Sequence, residues 1–165
     1  MKKNIVLTIL MLVVPTILNA IGQSGNTEVV VDAKIELTLE LKQGIVTGEL
    51  SEVDGIVTVK NIGKQRVKAQ SPTNRMAVAF IVLNSRGNVI EPEGKAKVDP
   101  TFQEKTLEPG SHFSEVFQGL KFITGTAQFG YVLKRGERYR VVAIYRPWGP
   151  DGVGICSKEE TIELK

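Results

Sequence analysis

The chain has 165 residues, of which 42% are hydrophobic and 24% charged, enough for one packed core and too little for two. Sixteen glycines, seven prolines and a single cysteine exclude a collagen repeat, a disordered polyelectrolyte and a disulfide-stapled miniprotein. The formal net charge is +3, but part of it belongs to the first few residues.

Those first residues read as a secretory leader. Lys2 and Lys3 form a short positive region, Ile5 to Val14 is apolar apart from Thr8, and Pro15 breaks the run before Leu18-Asn19-Ala20, whose small last residue suits signal peptidase. Pro15, Thr16 and Asn19 interrupt the stretch too often for a membrane span of about 20 apolar residues. Residues 1–20 are therefore expected to be a signal peptide, residues 21–27 a polar spacer and residues 28–165 the folded domain. Cleavage leaves about 145 residues with a net charge of about +1. A chain so close to neutral lacks the basic field that nucleic acid requires. Lys60, Lys64, Arg66 and Lys68 alternate along one stretch, which reads as a solvated strand face. The expected location is extracytoplasmic, periplasmic or secreted, with no membrane insertion after the leader is removed.

The body shows period-two patterning almost throughout. Ile35, Leu37, Leu39 and Leu41 alternate with Lys34, Glu36, Thr38 and Glu40, the signature of a strand with one buried and one wet face. It is also the best candidate for an edge strand. Further strands are predicted at Ile45 to Glu49, Ile56 to Asn61, Gln65 to Ala69 and Met76 to Leu83. Later ones follow at His112 to Phe117, Gln128 to Lys134, Tyr139 to Tyr145 and Thr161 to Lys165. Between them lie residues tolerant of positive φ: Lys42-Gln43-Gly44, Asp54-Gly55, Asn61 to Lys64, Ser85 to Asn88, Pro109-Gly110 and Lys134-Arg135-Gly136. No segment offers a three-turn amphipathic helix, although Ser114 to Ile123 has room for about one turn before Gly119 interrupts it. Ile90 to Glu108 is the least patterned region and reads as a surface crossover. The expectation is all-β, an antiparallel sandwich.

Val57 to Asn61 entering a turn, Leu107 to Ser111 before a strand, and Gly136 to Val141 occur in an order that resembles the immunoglobulin-like sandwiches of many secreted bacterial proteins. That resemblance implies that Tyr139, near the start of the penultimate strand, anchors a corner through its hydroxyl. The inter-sheet disulfide of antibody domains is excluded, because Cys156 is alone.

Catalysis fails on inventory. His112 is the only histidine and lies far in sequence from Cys156, so nucleophile and base make no triad. Zinc wants several His or Cys ligands and calcium wants clustered carboxylates; neither set is present, so no metal is expected. Gly149, Gly152 and Gly154 follow a strand but precede no helix, which removes a phosphate loop and leaves no cofactor to expect. His112 reads as a polar strand residue and Cys156 as a small, half-buried structural one.

One segment stands apart. Arg146-Pro147-Trp148-Gly149-Pro150, extending to Gly154, holds the only tryptophan and two prolines. Proline lowers the entropy a partner must remove, and Trp and Arg are the residue types that most often dominate binding energy. The segment reads either as a recognition loop or as a cap in which Trp148 folds back over the sandwich end. Tyr145-Arg146-Pro147-Trp148, followed by Gly-Pro and a final strand, resembles the last loop of chagasin-type inhibitors of papain-like cysteine peptidases. The resemblance extends back to about Thr124. It implies an immunoglobulin-like fold presenting three neighbouring loops, an Asn-Pro-Thr-Thr-Gly loop in the peptidase cleft and Gly-x-Gly-Gly and Arg-Pro-Trp loops beside it. Ser71-Pro72-Thr73-Asn74-Arg75 keeps Pro-Thr but lacks the leading Asn and closing Gly, and Thr124-Gly125-Thr126 keeps one glycine. A hairpin of Gln128 to Lys134 with Tyr139 to Tyr145 would place the Gly125 and Arg146 loops at one end; the end occupied by the Pro72 loop is left open.

The sequence therefore predicts a secreted, non-enzymatic module that binds another macromolecule, a protein, through Arg146 to Gly154. Pro72, Thr73 and Gly125 are its secondary loop candidates. An inhibitor of papain-like peptidases is the alternative, and an envelope assembly subunit pairing through edge strands is a third.

Overall fold

A computed structural model of the chain describes residues 34–72, 77–94, 103–124, 127–149 and 152–165. The expected leader and spacer lie outside these residues. So do Thr73, Gly125 and Pro150.

The strands are β1 (Ile35–Thr47), β2 (Leu50–Asn61), β3 (Val67–Gln70), β4 (Val78–Asn84), β5 (Val89–Ile90), β6 (Glu93–Gly94) and β7 (Glu104–Leu107). They continue with β8 (His112–Phe117), β9 (Phe122–Thr124), β10 (Ala127–Gly130), β11 (Leu133–Lys134), β12 (Arg138–Tyr145), β13 (Ile155–Cys156) and β14 (Glu160–Glu163). The fold is an all-β antiparallel sandwich. One sheet has β2 at its centre, with β1 on one side and β8 and β11 on the other. The second has β12 beside β4, β13 and β14, with β5 added to β4. A β3–β7 ribbon and a β6-β10-β9 sheet complete it.

Alternation builds the core. Val53, Val57 and Val59 of β2, Leu37 and Leu39 of β1, Phe80 and Val82 of β4, and Tyr139, Val141, Ala143 and Tyr145 of β12 are all buried, each set separated by even numbers of residues as a strand with one inner face requires. The Phe80 and Phe117 rings meet edge to face with centroids 5.2 Å apart.

Several sequence-based boundaries move. The expected turn at Lys42-Gln43-Gly44 is an irregularity in the ladder between Gln43 and Val46, so β1 runs straight through it and the chain reverses at Gly48 (φ 62°) instead. The expected turn at Asp54-Gly55 is mid-strand. Gly55 is needed there because a Cβ would come within 2.7 Å of Leu120 Cδ2, and Asp54 Oδ1 accepts the Gly119 N–H at 2.8 Å. Leu120 ends a single 3-10 turn, Gln118–Leu120, the one helical turn the sequence left room for. The Ile90 to Glu108 crossover contains β6 and β7, strands too short and too polar to show alternation. The stretch from Gln128 to Lys134 splits into β10 and β11, which join different sheets, so it forms no hairpin with β12.

Candidate functional site

The two ends of the sandwich differ. At one end are tight turns: Gly48-Glu49, Ser85 to Asn88, and Arg135-Gly136, where Arg135 N–H donates to Glu49 O and Gly136 N–H to Leu164 O. Asn84 closes its own turn, its Oδ1 accepting from Arg86 N–H and Asn88 N–H at 3.0 Å each. Tyr139 lies at this end: Lys134 N–H donates to its hydroxyl (2.9 Å), which donates to Glu137 Oε2 (3.1 Å). Burial, and to a lesser degree the Glu137 carboxylate, raises the Tyr139 pKa against the lowering effect of the Lys134 N–H.

At the other end β2, β3, β4 and β12 meet. Asn61, fully buried, donates through Nδ2 to Gln65 O (2.7 Å) and Leu107 O (3.0 Å) and accepts from Gly63 N–H at Oδ1 (2.9 Å). β3 leaves this corner and delivers Gln70 to the end of β12. There Gln70 N–H donates to Pro147 O (2.8 Å), the Tyr145 hydroxyl donates to Gln70 O (2.5 Å), and Arg146 N–H donates to Ala77 O (2.7 Å). The chain segments that enter the Pro72 loop and the Arg146 loop are thus tied to each other at this end of the sandwich.

The Arg146 loop begins as a four-residue turn. Gly149 N–H reaches back to Arg146 O at 3.4 Å, with Pro147 at the second position, Trp148 third and Gly149 fourth. Proline presets the φ that the second position needs. Gly149 sits at φ 96°, a backbone state closed to side chains, and Gly152 N–H continues the fold-back to Gly149 O at 3.1 Å. Beneath the turn Tyr145 is fully buried, and loss of water around its phenol drives its pKa far upward. Pro147, Gly149 and Pro72 are buried as well, so they position the loop from within. Trp148 does not fold inward: 52% of it is exposed, and Arg146 is half-buried beside it. The loop is anchored through its backbone and Pro147, and its aromatic tip faces water.

No family model and no curated protein sequence matches the chain. Among solved structures it is similar to Bacteroides uniformis β-glucuronidase at 13% identity and a TM-score of 0.44, over 77% of this chain and 13% of that one. It is similar also to structural genomics target SoR45 (12% identity, TM-score 0.42, 79% of this chain and 86% of that one) and to an Archaeoglobus fulgidus protein (13%, 0.37, 80% and 98%). The chain thus spans a small part of the glucuronidase's length.

The sequence passed over Val153, which is 78% exposed and follows the Trp148 turn, with the Gly152 position lying against Trp148 Cβ. A valine between two glycines carries no pattern. Cys156 corrects the opposite way. It is exposed, because it pairs with Ile144 on the outward face of β12 while Ala143 and Tyr145 point inward. The strands flanking Gly125, β9 and β10, pair as a hairpin. The β12 hairpin that was to place that loop beside Arg146 does not form.

Proposed function

We propose that this chain is a secreted, non-enzymatic protein-binding module that recognises its partner through the Arg146 to Gly154 loop. The observation that carries the reading is Trp148, half exposed at the tip of a turn whose neighbours are buried and whose backbone is tied at Arg146, Pro147 and Gly149. An aromatic side chain held outward in advance costs little entropy on binding, and burying its remaining surface provides an anchor of the kind that dominates interfaces. Arg146 supplies charged hydrogen-bond donors next to it. The immunoglobulin-like resemblance belongs to the same reading, since such sandwiches present loops at one end from a rigid frame. Capture of partner proteins from the native organism's envelope by the wild-type chain, lost with Trp148→Ala at equal folded content, supports the proposal; equal capture by both overturns it.

Inhibition of a papain-like cysteine peptidase is the second reading. It is favoured by the Gln70 to Pro147 hydrogen bond, which ties the segment entering the Pro72 loop to the Arg146 loop. Stoichiometric titration of papain activity is the check. No inhibition at micromolar protein removes this reading and leaves the first standing.

A further inference from the structure

β1 is an edge strand, and its ladder shows which of its residues face outward in the plane of the sheet. Ile62 N–H donates to Lys34 O, and the pairing runs on as Glu36 with Lys60, Thr38 with Thr58, Glu40 with Ile56 and Lys42 with Asp54. In an antiparallel pair alternate residues exchange both backbone hydrogen bonds. The even-numbered residues of β1 therefore bond to β2. The N–H and C=O groups of Ile35, Leu37, Leu39 and Leu41 turn away from it, and among the described residues no strand pairs with that side. Such an edge is a template for a further strand.

We propose that β1 pairs antiparallel with β1 of a second copy about a twofold axis at Leu39. The outward-turned residues must be the ones that bond, so only registers that match odd residues with odd residues are allowed. Charge chooses among them. With the axis at Thr38, Glu36 faces Glu40 and Lys34 faces Lys42; with it at Glu40, that glutamate faces itself. Centred on Leu39, Glu36 faces Lys42 of the other copy, twice by symmetry. The exposed face then carries a row of alternating charge across four strands: Lys60, Glu36, Lys42 of the second copy and Asp54 of the second copy. Centring on Leu37 also matches charges, through Lys34 and Glu40, but over a shorter overlap. On the inner face Leu37 meets Leu41 and Leu39 meets its own counterpart. A twofold axis here makes a closed, isologous contact that ends at two copies. Because the paired strands are antiparallel, the two Arg146 loops point to opposite poles.

Sedimentation of the purified chain over a wide concentration range tests this. A monomer–dimer equilibrium is expected. Glu36→Lys and Lys42→Glu each replace attraction by repulsion at both symmetric positions and should weaken the dimer about tenfold, while the double exchange restores it. Glu40→Lys, which faces Thr38 in this register, should leave it unchanged. These side chains are exposed, and a thermal melt confirms that each variant is folded. A monomer at every concentration overturns the proposal. So do single exchanges without effect, or a dimer sensitive to Glu40→Lys alone. Trp148→Ala should dimerise as the wild type does, which separates this contact from the loop's own partner.

Discussion

At the Asn61 corner a buried side chain gathers three backbone groups of two neighbouring segments. At the Arg146 turn, a few residues away at the same end, the backbone supplies most of the ties and the side chain at the tip is left in water. Both corners are rigid, yet they spend their polar groups differently. A side chain that satisfies buried groups is committed to the fold, whereas a turn held by main-chain bonds, by Tyr145 from below and by two buried prolines leaves its side chain free of that commitment. The number of ties therefore does not separate a corner that uses its side chains from one that leaves them outside. What separates them is which atoms provide the ties.

The largest effect should come from breaking the first corner. Asn61→Ala leaves the buried Leu107 O and the part-buried Gln65 O and Gly63 N–H without their side-chain partner, and should lower stability by about 2–4 kcal/mol in urea unfolding. A loss no larger than that of an exposed asparagine would show that the corner is held elsewhere.

Alkaline pH attacks the second corner. All three tyrosines have folded-state pKa values raised above 10.0, mainly by burial, and Tyr145 most of all. The folded chain therefore holds these protons after the unfolded chain has released them. Stability should be unaffected by tyrosine ionisation below pH 10.0 and fall as pH rises past it, with tyrosinate absorbance appearing together with unfolding. All three tyrosines ionising by about pH 10.0 in a chain that stays folded would contradict the burial described for Tyr145.

Tyr145→Phe is a milder cut. It removes the hydroxyl's bond to Gln70 O and should cost about 1 kcal/mol. Because the bond ties β12 to the Pro72 segment, hydrogen exchange at Gln70 and Arg146 N–H should quicken while Asn61 N–H keeps its protection. Equal loosening at both corners would mean that they are one unit.

Sequence patterning went far for the sandwich and less far for its end. Period-two alternation located β1, β2, β4, β8 and β12, because each buries one face against the other sheet. It failed at Asp54-Gly55, where the glycine serves Leu120 across the core. It failed also between Gln128 and Lys134, where a change of sheet leaves no mark on local composition. The loop was conspicuous through the rarity of tryptophan. Its structure depends on contacts more than seventy residues apart, such as Gln70 with Pro147, which no local pattern encodes. Residue type alone could not show that Pro147 faces inward and Trp148 outward.

Trp148→Ala should have the smallest effect on stability, no more than about 1 kcal/mol, since half of the side chain is already in water. A loss typical of a buried aromatic, about 3–5 kcal/mol, would make it a cap.

Because Trp148 is the only tryptophan, its fluorescence reports on this one position. The native chain should emit close to the wavelength of the unfolded chain, and acrylamide should quench it readily while far-ultraviolet circular dichroism shows the sandwich intact. Native emission shifted well to the blue, and shielded from acrylamide until the chain unfolds, would contradict an outward-facing anchor.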